Sequence, residues 1–302
     1  MSKHLLVVGG SGFIGRYLCE IALKMGYQVT SLSPNKVDLE KKIKKVLYLV
    51  GDISDYYSLV KVLGNKRFEF VVNLSGYIDH RTISQGGEHV IKMHFEGLRN
   101  LIKVINTTKL VRFIQIGTSD EYGGGFSPQK EIEREQPFSA YSFAKVASSY
   151  YVQMLNREEG FPGTVIRLFL VYGPNQGLSR FIPQVILGCL SDRKFNVSPG
   201  EQLRDFCYVA DVANAILLAL EVPNIDGEII NIGSGMPLKI KDVVQKINTI
   251  IGKGHPVYGG VDYRTGEKMA LYPDVSKSIS ILNYQPKVSL DEGLIRTIES
   301  FS

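Results

Sequence analysis

The chain has 302 residues, 44% of them hydrophobic and 22% charged, and 35 Lys and Arg against 30 Asp and Glu give a formal net charge of +5. This composition is that of an average globular protein and excludes disordered, collagen-like and coiled-coil classes. The weak, dispersed positive charge does not indicate a nucleic-acid partner. No apolar run approaches the roughly 20 residues that span a bilayer, and the scattered cysteines include no CxxC pair. We therefore expect a cytoplasmic protein with neither a membrane partner nor a metal site.

Short apolar runs alternate with helical patterns through the first half of the chain. Strands are predicted at residues 5–8, 28–32, 46–50, 70–74, 112–116 and 164–169. Helices are predicted at residues 13–25, 54–63, 87–107 and 140–159. Such alternation builds βαβ units, and an open parallel sheet has to be covered on both faces. The sequence therefore predicts an α/β fold with a doubly wound parallel sheet of the Rossmann type.

The pattern loosens after residue 174. Helices are predicted at 181–190, 209–220, 240–251 and near 290–301, with a strand at 229–232. We expect residues 1–170 to form a dinucleotide-binding Rossmann domain, to which residues 207–233 return. Residues 171–302 are expected to form mainly a smaller C-terminal lobe that binds the substrate.

The segment GGSGFIG at residues 9–15 joins the first predicted strand to the first predicted helix and has glycines at positions 9, 12 and 15. Gly9 permits a tight turn, Gly12 lets the backbone approach a pyrophosphate, and Gly15 lets helix and strand pack closely. The phosphates would lie at the helix N-terminus beside Phe13 and Ile14, where free N–H groups and the helix dipole favour negative charge. A plain glycine-rich turn is the alternative, but the flanking strand and helix favour a dinucleotide site.

The end of the second predicted strand bears on the choice between NAD and NADP. A carboxylate there would bind the ribose 2′-hydroxyl of NAD and repel the 2′-phosphate of NADP. This chain has Ser33 at that place, followed by the cationic Lys36. NADP(H) is therefore favoured and NAD(H) is the alternative, in which Ser33 only caps a turn.

Two further strand ends are expected to contact the same cofactor. Asp52, followed by Ile53, is placed to accept a hydrogen bond from the adenine amino group, although it could also be a turn residue before the next helix. The fourth predicted strand ends in Leu74, Ser75 and Gly76, whose small side chains suit close passage of the cofactor ribose.

Tyr141 and Lys145 lie four residues apart in a predicted helix, so their side chains share one helix face. A phenol of pKa near 10 is a poor acid–base group at pH 7, and a neighbouring ammonium would lower that pKa. The lysine could also hold the hydroxyls of the nicotinamide ribose. The spacing of Tyr141 and Lys145 is common by chance. Its position, one βα unit after Thr118 at the end of a strand, makes a catalytic role the better interpretation.

Several other motifs accompany this pair: Asn73-Leu74-Ser75-Gly76, Arg167, Val171-Tyr172-Gly173-Pro174, Phe181-Ile182-Pro183, Gly200-Glu201-Gln202-Leu203-Arg204-Asp205-Phe206 and Arg264-Thr265-Gly266-Glu267. With them the chain resembles, over nearly its whole length, the extended short-chain dehydrogenase/reductases that act on nucleotide sugars, known as NAD-dependent epimerase/dehydratase proteins. The resemblance implies a nucleotide-diphosphate sugar as the substrate.

The resemblance also implies roles for individual residues. Tyr141 would be the acid/base group with Lys145 as its partner, and Thr118 would orient the reacting oxygen. Arg204 and Arg264 would clamp the diphosphate, a task suited to the guanidinium fork. Each arginine taken alone would more often be a surface residue.

Two positions depart from the family pattern. His94 stands where the family usually has Asn, so its role is either structural or that of a proton relay. Leu170 replaces the usual Asn before Val-Tyr-Gly-Pro, which removes one polar contact to the substrate. Its neighbour Phe169 is expected at the cofactor.

The motif after Thr118 bears on the reaction type. Glucose-type 4,6-dehydratases have Thr-Asp-Glu-x-Tyr-Gly, with Asp as acid and Glu as base. In an extended segment neighbouring side chains point to opposite faces, so Asp120 would take the place of the base, Ser119 that of the acid, and Glu121 would point elsewhere. The Asp-Glu-Tyr-Gly form most resembles reductases of 4-keto-6-deoxyhexose nucleotides.

We therefore expect NAD(P)H-dependent reduction of a C4 ketone, with a catalytic set of Tyr141, Lys145, Thr118 and Asp120. The alternatives are a C4-epimerase, a 4,6-dehydratase with Asp120 as a shortened base, an NAD-dependent C4-oxidase and a catalytically silent dinucleotide sensor.

A homodimer is also expected. The outer faces of the predicted helices 87–107 and 140–159 are assigned six apolar side chains: Val90, Leu98, Ile102, Phe143, Val146 and Tyr150. So much exposed apolar surface is unusual for a monomer, and relatives pair these helices into a four-helix interface.

Overall fold

Strands and helices alternate through the first half of the chain, as the sequence predicts. The structure is a computed structural model and describes residues 3–79, 81–264 and 266–301. In chain order the first elements are β1 (His4–Val8), α1 (Phe13–Lys24), β2 (Gln28–Ser33), β3 (Leu47–Val50), α2 (Tyr56–Leu63), β4 (Phe70–Asn73), α3 (Glu88–Ile91), α4 (Gly97–Val104), β5 (Arg112–Thr118), α5 (Ala140–Glu159) and β6 (Gly163–Leu168).

The second half has shorter and more varied elements. They are β7 (Leu170–Tyr172), α6 (Phe181–Leu190), β8 (Lys194–Val197), β9 (Leu203–Tyr208), α7 (Val209–Glu221), β10 (Ile229–Ile232), β11 (Pro237–Lys239), α8 (Ile240–Ile251), β12 (His255–Tyr258), β13 (Ala270–Leu271), α9 (Ser276–Leu282) and α10 (Leu290–Glu299).

A parallel sheet between two helical layers is the core of the molecule. Within the described residues it has 7 strands in the order β10-β6-β5-β4-β1-β2-β3. The apolar run of β1 shows why it is covered on both sides: Leu5 and Val7 pack towards α1 and α7, whereas Leu6 and Val8 pack towards α2, α4 and α5. A continuous apolar strand is what burial on two faces requires. The predicted doubly wound Rossmann sheet is confirmed.

A third apolar cluster surrounds a smaller sheet, in which β9 pairs with β7, β11 and β13. Helices α6, α8 and α10 cover this small sheet, with Ile186, Ile247 and Leu294 fully buried between them. Helix α7 returns to pack on α1, and β10 pairs with β6 at the edge of the main sheet. The division of the chain into the domains 1–170 and 171–302 stays a prediction.

The helix predicted at 87–107 is not continuous. A π-helical turn over Lys92–Glu96 separates α3 from α4. Such turns insert an extra residue into a helix and occur often at functional sites. Here the turn carries the buried His94, and Gly97 follows it where an added Cβ would lie 2.7 Å from Ile53 Cδ1. The residue pattern contains no signal for this turn.

The segment after β5 is also different from its prediction. Ser119–Tyr122 is a 3₁₀-helical turn and not an extended segment. The argument that its side chains alternate between two faces is therefore wrong. Thr118 caps the turn: its hydroxyl accepts the Asp120 N–H, and the Glu121 carboxylate accepts the Thr118 N–H. Thr-x-x-Glu is the sequence signature of such a capping box, and it was present in the chain.

The surface assigned to dimer formation is smaller than predicted. Val90 and Leu98 are fully buried within the chain, and Val146 is nearly so, because these side chains face the chain's own core. Phe143 and Tyr150 on α5 are exposed by 52% and 50%. The apolar outer face is thus centred on α5. Across the described residues no helix combines the length and apolar character needed to cross a membrane.

Candidate active site

A cleft of about 520 Å³ opens where β1, β4, β5 and β6 end. Parallel sheets commonly bind ligands at this carboxyl edge. The predicted site residues that line it are Gly9, Gly12, Phe13, Ile14, Gly15, Leu74, Ser75, Gly76, Thr118, Tyr141, Lys145 and Phe169. Those outside its lining are Ser33, Asp52, Ile53, Asp120, Arg204 and Arg264. The lining also includes residues that had no sequence signal, among them Tyr77, Gln176 and Arg180.

The glycine motif forms one side of this cleft. Gly9 has a φ of +83° and accepts a hydrogen bond from the Gly12 N–H at 3.0 Å, which closes the turn. An added Cβ on Gly15 would collide with the Gly9 carbonyl and lie 2.7 Å from Gly10 Cα. Helix α1 begins directly after Gly12 without a side-chain cap. These features leave a tight backbone cradle with free N–H groups, which fits a dinucleotide pyrophosphate.

The end of β2 lies behind the glycine loop and carries no carboxylate. Ser33 is buried, and its hydroxyl lies 2.7 Å from the hydroxyl of Ser11 in the loop. Lys36 is exposed just beyond. After β3, Asp52 Oδ1 accepts the N–H and the hydroxyl of Ser54, both at 2.8 Å, so it holds the turn before α2. A contact from Asp52 to adenine stays a prediction.

Tyr141 and Lys145 occupy the first turns of α5 and face the ends of β5 and β6. Lys145 Nζ donates to the Ile116 carbonyl at 2.8 Å, and burial lowers the pKa of this ammonium to about 8. Burial raises the pKa of Tyr141, and the carboxylate of Asp120 raises it further, against a hydrogen bond from Thr118 that lowers it. The pKa of Tyr141 is therefore raised, whereas the sequence analysis expected it to be lowered. The phenol is neutral at pH 7 and can donate a proton.

Asp120 lies near the phenol but outside the lining of the cleft, and it has a neighbour that the sequence did not indicate. Lys268 Nζ is enclosed, lies 5.9 Å from the centre of the Phe138 ring, and has no hydrogen-bond partner among the described residues. Burial lowers the pKa of Lys268, and the attraction of Asp120 partly restores it. Residues 120 and 268 are far apart in the chain, so only the tertiary structure brings these charges together.

Glu121 takes no direct part in the cleft. It is fully buried and bound to Ser149 and Arg167, so it points away from the cleft, as predicted, although for a different reason. Ser119 is buried as well. No carboxyl group therefore stands directly after Thr118.

His94 is a neutral, buried ring against the phenol. Its Nε2 lies 2.9 Å from the Tyr77 carbonyl, which can only accept, so Nε2 carries the hydrogen. The ring meets that of Tyr141 edge-on, with 5.2 Å between centroids. Burial, and then the charge of Lys145, lower the pKa of His94 to about 3.

The two arginines expected at the diphosphate differ in their surroundings. Arg204 is buried, pairs with Glu267 and donates to the Leu203 carbonyl at 2.7 Å. Arg264 is exposed, in the segment just before Glu267. Their joint action on a diphosphate stays a prediction.

Leu170, which stands in place of the family's usual Asn, lines the cleft.

Comparison with known proteins agrees with this geometry. Residues 5–233 match the model of the NAD dependent epimerase/dehydratase family. The chain belongs to this family. The membership confirms the resemblance that the sequence motifs indicate, and with it an NAD-dependent enzyme of the extended short-chain dehydrogenase/reductase type.

Individual relatives are distant but cover the whole chain. The chain is 29% identical to a UDP-N-acetyl-alpha-D-glucosaminuronate decarboxylase of Bacillus cytotoxicus, over 100% of this chain and 98% of the relative. It is 26% identical to the human dTDP-D-glucose 4,6-dehydratase, over 99% and 89%. The solved structure of a UDP-glucuronic acid 4-epimerase variant from Bacillus cereus, with UDP-4-deoxy-4-fluoro-glucuronic acid and NAD, superposes with a TM-score of 0.86 at 27% identity and covers 98% of each chain.

The neutral His94 predicts a specific pH dependence of stability. An unfolded histidine titrates near 6.5, so below about pH 6.5 the unfolded chain binds a proton that the folded chain refuses, and stability falls as pH falls. In His94→Asn the free energy of unfolding should fall less steeply with falling pH than in the wild type. The difference in slope should be up to about 1.4 kcal/mol per pH unit between roughly pH 6 and 4. Urea unfolding at several pH values measures it. Equal slopes in the two proteins would contradict a neutral buried His94.

Proposed function

We propose that this enzyme reduces the C4 ketone of a nucleotide-linked 4-keto-6-deoxyhexose with NAD(P)H, a reaction of surface-polysaccharide or deoxysugar synthesis. The observation that carries the proposal is the neutral phenol of Tyr141, hydrogen-bonded to Thr118 in the cleft. A ketone reduction needs one proton donor at the oxygen and a hydride at the carbon. An elimination also needs a carboxyl acid, and the residue directly after Thr118 is the buried Ser119.

The substrate class is supported by the relatives. The decarboxylase, the dehydratase and the epimerase named above all have nucleotide sugars in their names or structures. In this chain Arg204 and Arg264 would bind the diphosphate, since bidentate guanidinium groups match phosphate oxygens. Arg204 is already held in place by Glu267.

The chain's own residues account for the proton chemistry. Bound nicotinamide supplies the hydride. Tyr141 protonates the carbonyl oxygen as negative charge develops there, and Thr118 donates a hydrogen bond to that oxygen. Lys145, whose ammonium is held by the Ile116 carbonyl, would stabilise the phenolate that remains and bind the nicotinamide ribose. The neutral His94 ring packs against the phenol and limits its movement.

A 4,6-dehydratase is the second candidate, because one observation favours it. Asp120 acts electrostatically on Tyr141 and on Lys268, so a carboxylate does stand near the reacting centre. Asp120 is one methylene shorter than the usual glutamate base. Elimination would still need an acid to expel the C6 hydroxyl, and a serine hydroxyl is too weak for this.

NADP(H) is the proposed preferred cofactor. β2 ends in the buried, uncharged Ser33, whose hydroxyl lies beside that of Ser11 in the glycine loop, and the exposed Lys36 follows. A neutral strand end does not repel a 2′-phosphate, and a nearby ammonium attracts it.

A homodimer is proposed on the apolar outer face of α5. Phe143 and Tyr150 are half exposed there, and Met154 extends the same face by one turn. Three large apolar side chains along one helix are more surface than a solvent-facing helix normally shows.

Substitution of Tyr141 tests the proposed reaction. We expect wild-type protein to oxidise NADPH or NADH when given a 4-keto-6-deoxyhexose nucleotide, and Tyr141→Phe to slow this by roughly 10²-fold or more, since a general acid contributes about 10²–10⁴. Asp120→Asn should slow reduction far less. Tyr57→Phe, an exposed phenol on α2, is the control. Conversion of an ordinary hexose nucleotide to a 4-keto-6-deoxy product without net change in nicotinamide absorbance would make Asp120 a dehydratase base.

A charge at the end of β2 tests the cofactor preference. Wild-type protein should bind NADP(H) at least as well as NAD(H), and Ser33→Asp should shift the ratio towards NAD(H) because its carboxylate repels the 2′-phosphate. Fluorescence titration with both reduced cofactors measures the two dissociation constants. A wild-type preference for NAD(H) of tenfold or more would show the proposal to be wrong.

A charge on α5 tests the assembly. Light scattering at micromolar concentration should give the mass of two chains for the wild type and of one chain for Phe143→Asp, because an unpaired carboxylate is costly to bury. Leu39→Asp, at an apolar residue that is 80% exposed elsewhere, should leave the dimer intact. A monomeric wild type would exclude this interface.

A further inference from the structure

One carboxylate connects the three elements that carry or support the catalytic side chains. Glu121 Oε1 accepts the backbone N–H of Thr118, at the end of β5, at 2.8 Å. Its Oε2 accepts the Ser149 hydroxyl on α5 at 2.7 Å and Arg167 Nε–H on β6 at 2.9 Å. Ser149 lies one turn beyond Lys145 and two turns beyond Tyr141 on the same helix. Glu121 therefore links the backbone at Thr118 directly to the helix that carries the phenol.

The space around this carboxylate is closed. Glu121 and Arg167 are both fully buried, and Gly117 leaves room for them, since an added Cβ would collide with Glu121 Oε1 and lie 3.1 Å from Arg167 Cγ. The guanidinium of Arg167 lies 4.5 Å from the centre of the Tyr122 ring. A buried side chain held by three donors in a packed site has one position, so whatever it binds is held to that position too.

The bond from the Thr118 N–H to Glu121 affects the site because the Thr118 hydroxyl contacts Tyr141. The Thr118 hydroxyl accepts the Asp120 N–H at 3.3 Å and is hydrogen-bonded to the phenol of Tyr141. Rotation of the Thr118 backbone would move that hydroxyl away from the reacting oxygen. Glu121, which bonds to the Thr118 N–H, resists this rotation.

We infer that Glu121 is a positioning residue, which sets the place of the Thr118 hydroxyl relative to Tyr141 through the Thr118 N–H and Ser149. The inference rests on the proposed catalytic use of Thr118 and Tyr141. Glu121 itself is fully buried and lies outside the lining of the cleft. We expect Glu121 to affect the distances from the Thr118 hydroxyl and the Tyr141 phenol to the reacting oxygen. A displacement of about 1 Å there lowers the rate strongly.

The chain offers a matched control in Glu135. This residue also pairs with Arg167, through Nη2 at 2.5 Å, and accepts the Tyr150 hydroxyl at 2.7 Å. Its side chain is 7% exposed, against 0% for Glu121, and among the described residues its hydrogen bonds are with Arg167 and Tyr150 and not with Thr118. Loss of either carboxylate weakens the ion pairing of the same guanidinium, whereas only loss of Glu121 removes the link to the catalytic residues.

Four variants separate the roles: Glu121→Gln, Glu121→Leu, Glu135→Gln and Glu135→Leu. We expect Glu121→Leu to lower kcat roughly 10- to 100-fold, with KM values for both substrates within about 2-fold of wild type, because binding groups are unchanged. Glu121→Gln keeps an oxygen for the Thr118 N–H and should recover most of kcat. Both Glu135 variants should keep kcat and lose thermal stability.

Two kinetic outcomes would overturn the inference. One is a Glu121→Leu protein with the kcat of wild type. The other is an equal loss of kcat in Glu121→Leu and Glu135→Leu, which would make Glu121 no more than half of a structural ion pair. If Glu121→Leu fails to fold, a further pair, Glu121→Asp and Glu135→Asp, decides. Each keeps its charge on a side chain one methylene shorter, so Glu121→Asp should weaken the bond to the Thr118 N–H and lower kcat without changing KM, whereas Glu135→Asp should keep kcat. Equal kcat values in this pair would also overturn the inference.

A readout without turnover distinguishes this inference from the proposed function. Hydrogen–deuterium exchange of the peptide containing Thr118 should be faster in Glu121→Leu than in Glu121→Gln, and unchanged from wild type in Glu135→Leu. If the wild type does not turn over 4-keto-6-deoxyhexose nucleotides, the proposed function is wrong. The exchange rates still test whether Glu121 holds the Thr118 backbone in place. Equal protection of Thr118 in all proteins would overturn the positioning role.

Discussion

Parallel strands all end at the same edge of a sheet, and the site of this protein depends on that constraint. β1, β4, β5 and β6 are neighbours in the main sheet although they are far apart in the chain. Their ends place Gly9, Ser75, Thr118 and Phe169 around one cleft. Because the sheet is buried between two helical layers, these ends cannot move independently. The same packing fixes α5, and with it Tyr141, against β5 and β6.

Burial has a larger effect on the site than the attraction between individual charges. It raises the pKa of Tyr141, lowers that of Lys145 to about 8 and lowers that of His94 to about 3. The result is a neutral phenol beside a neutral imidazole, with the ammonium anchored on a carbonyl. Under the proposed function, this neutral phenol is the proton donor. The buried ion pair of Glu121 with Arg167 lies behind Thr118, whose backbone N–H donates to the Glu121 carboxylate.

The parts of the site that could be predicted are those with a local pattern. The glycine loop, the i, i+4 pair of Tyr141 and Lys145, and the uncharged end of β2 at Ser33 are each readable within a few residues. The Thr-x-x-Glu signature at Thr118 is also local, but the sequence analysis predicted an extended backbone there and not the capped turn that the structure shows. Lys268 and the π-helical turn at His94 could not be predicted, because each depends on partners distant in the chain.

The sequence by itself determined the Rossmann sheet, the dinucleotide motif and the family, since these follow from hydrophobic periodicity, glycine spacing and a helical pair, all short-range properties. The tertiary structure decided which apolar side chains are buried in the chain's own core and which remain on the outer face of α5, as Leu98 and Phe143 show. It also decided the protonation of Tyr141 and the partners of Glu121 and Asp120. Burial and electrostatic interactions depend on distances through space, and those distances exist only after residues from many parts of the chain have packed together.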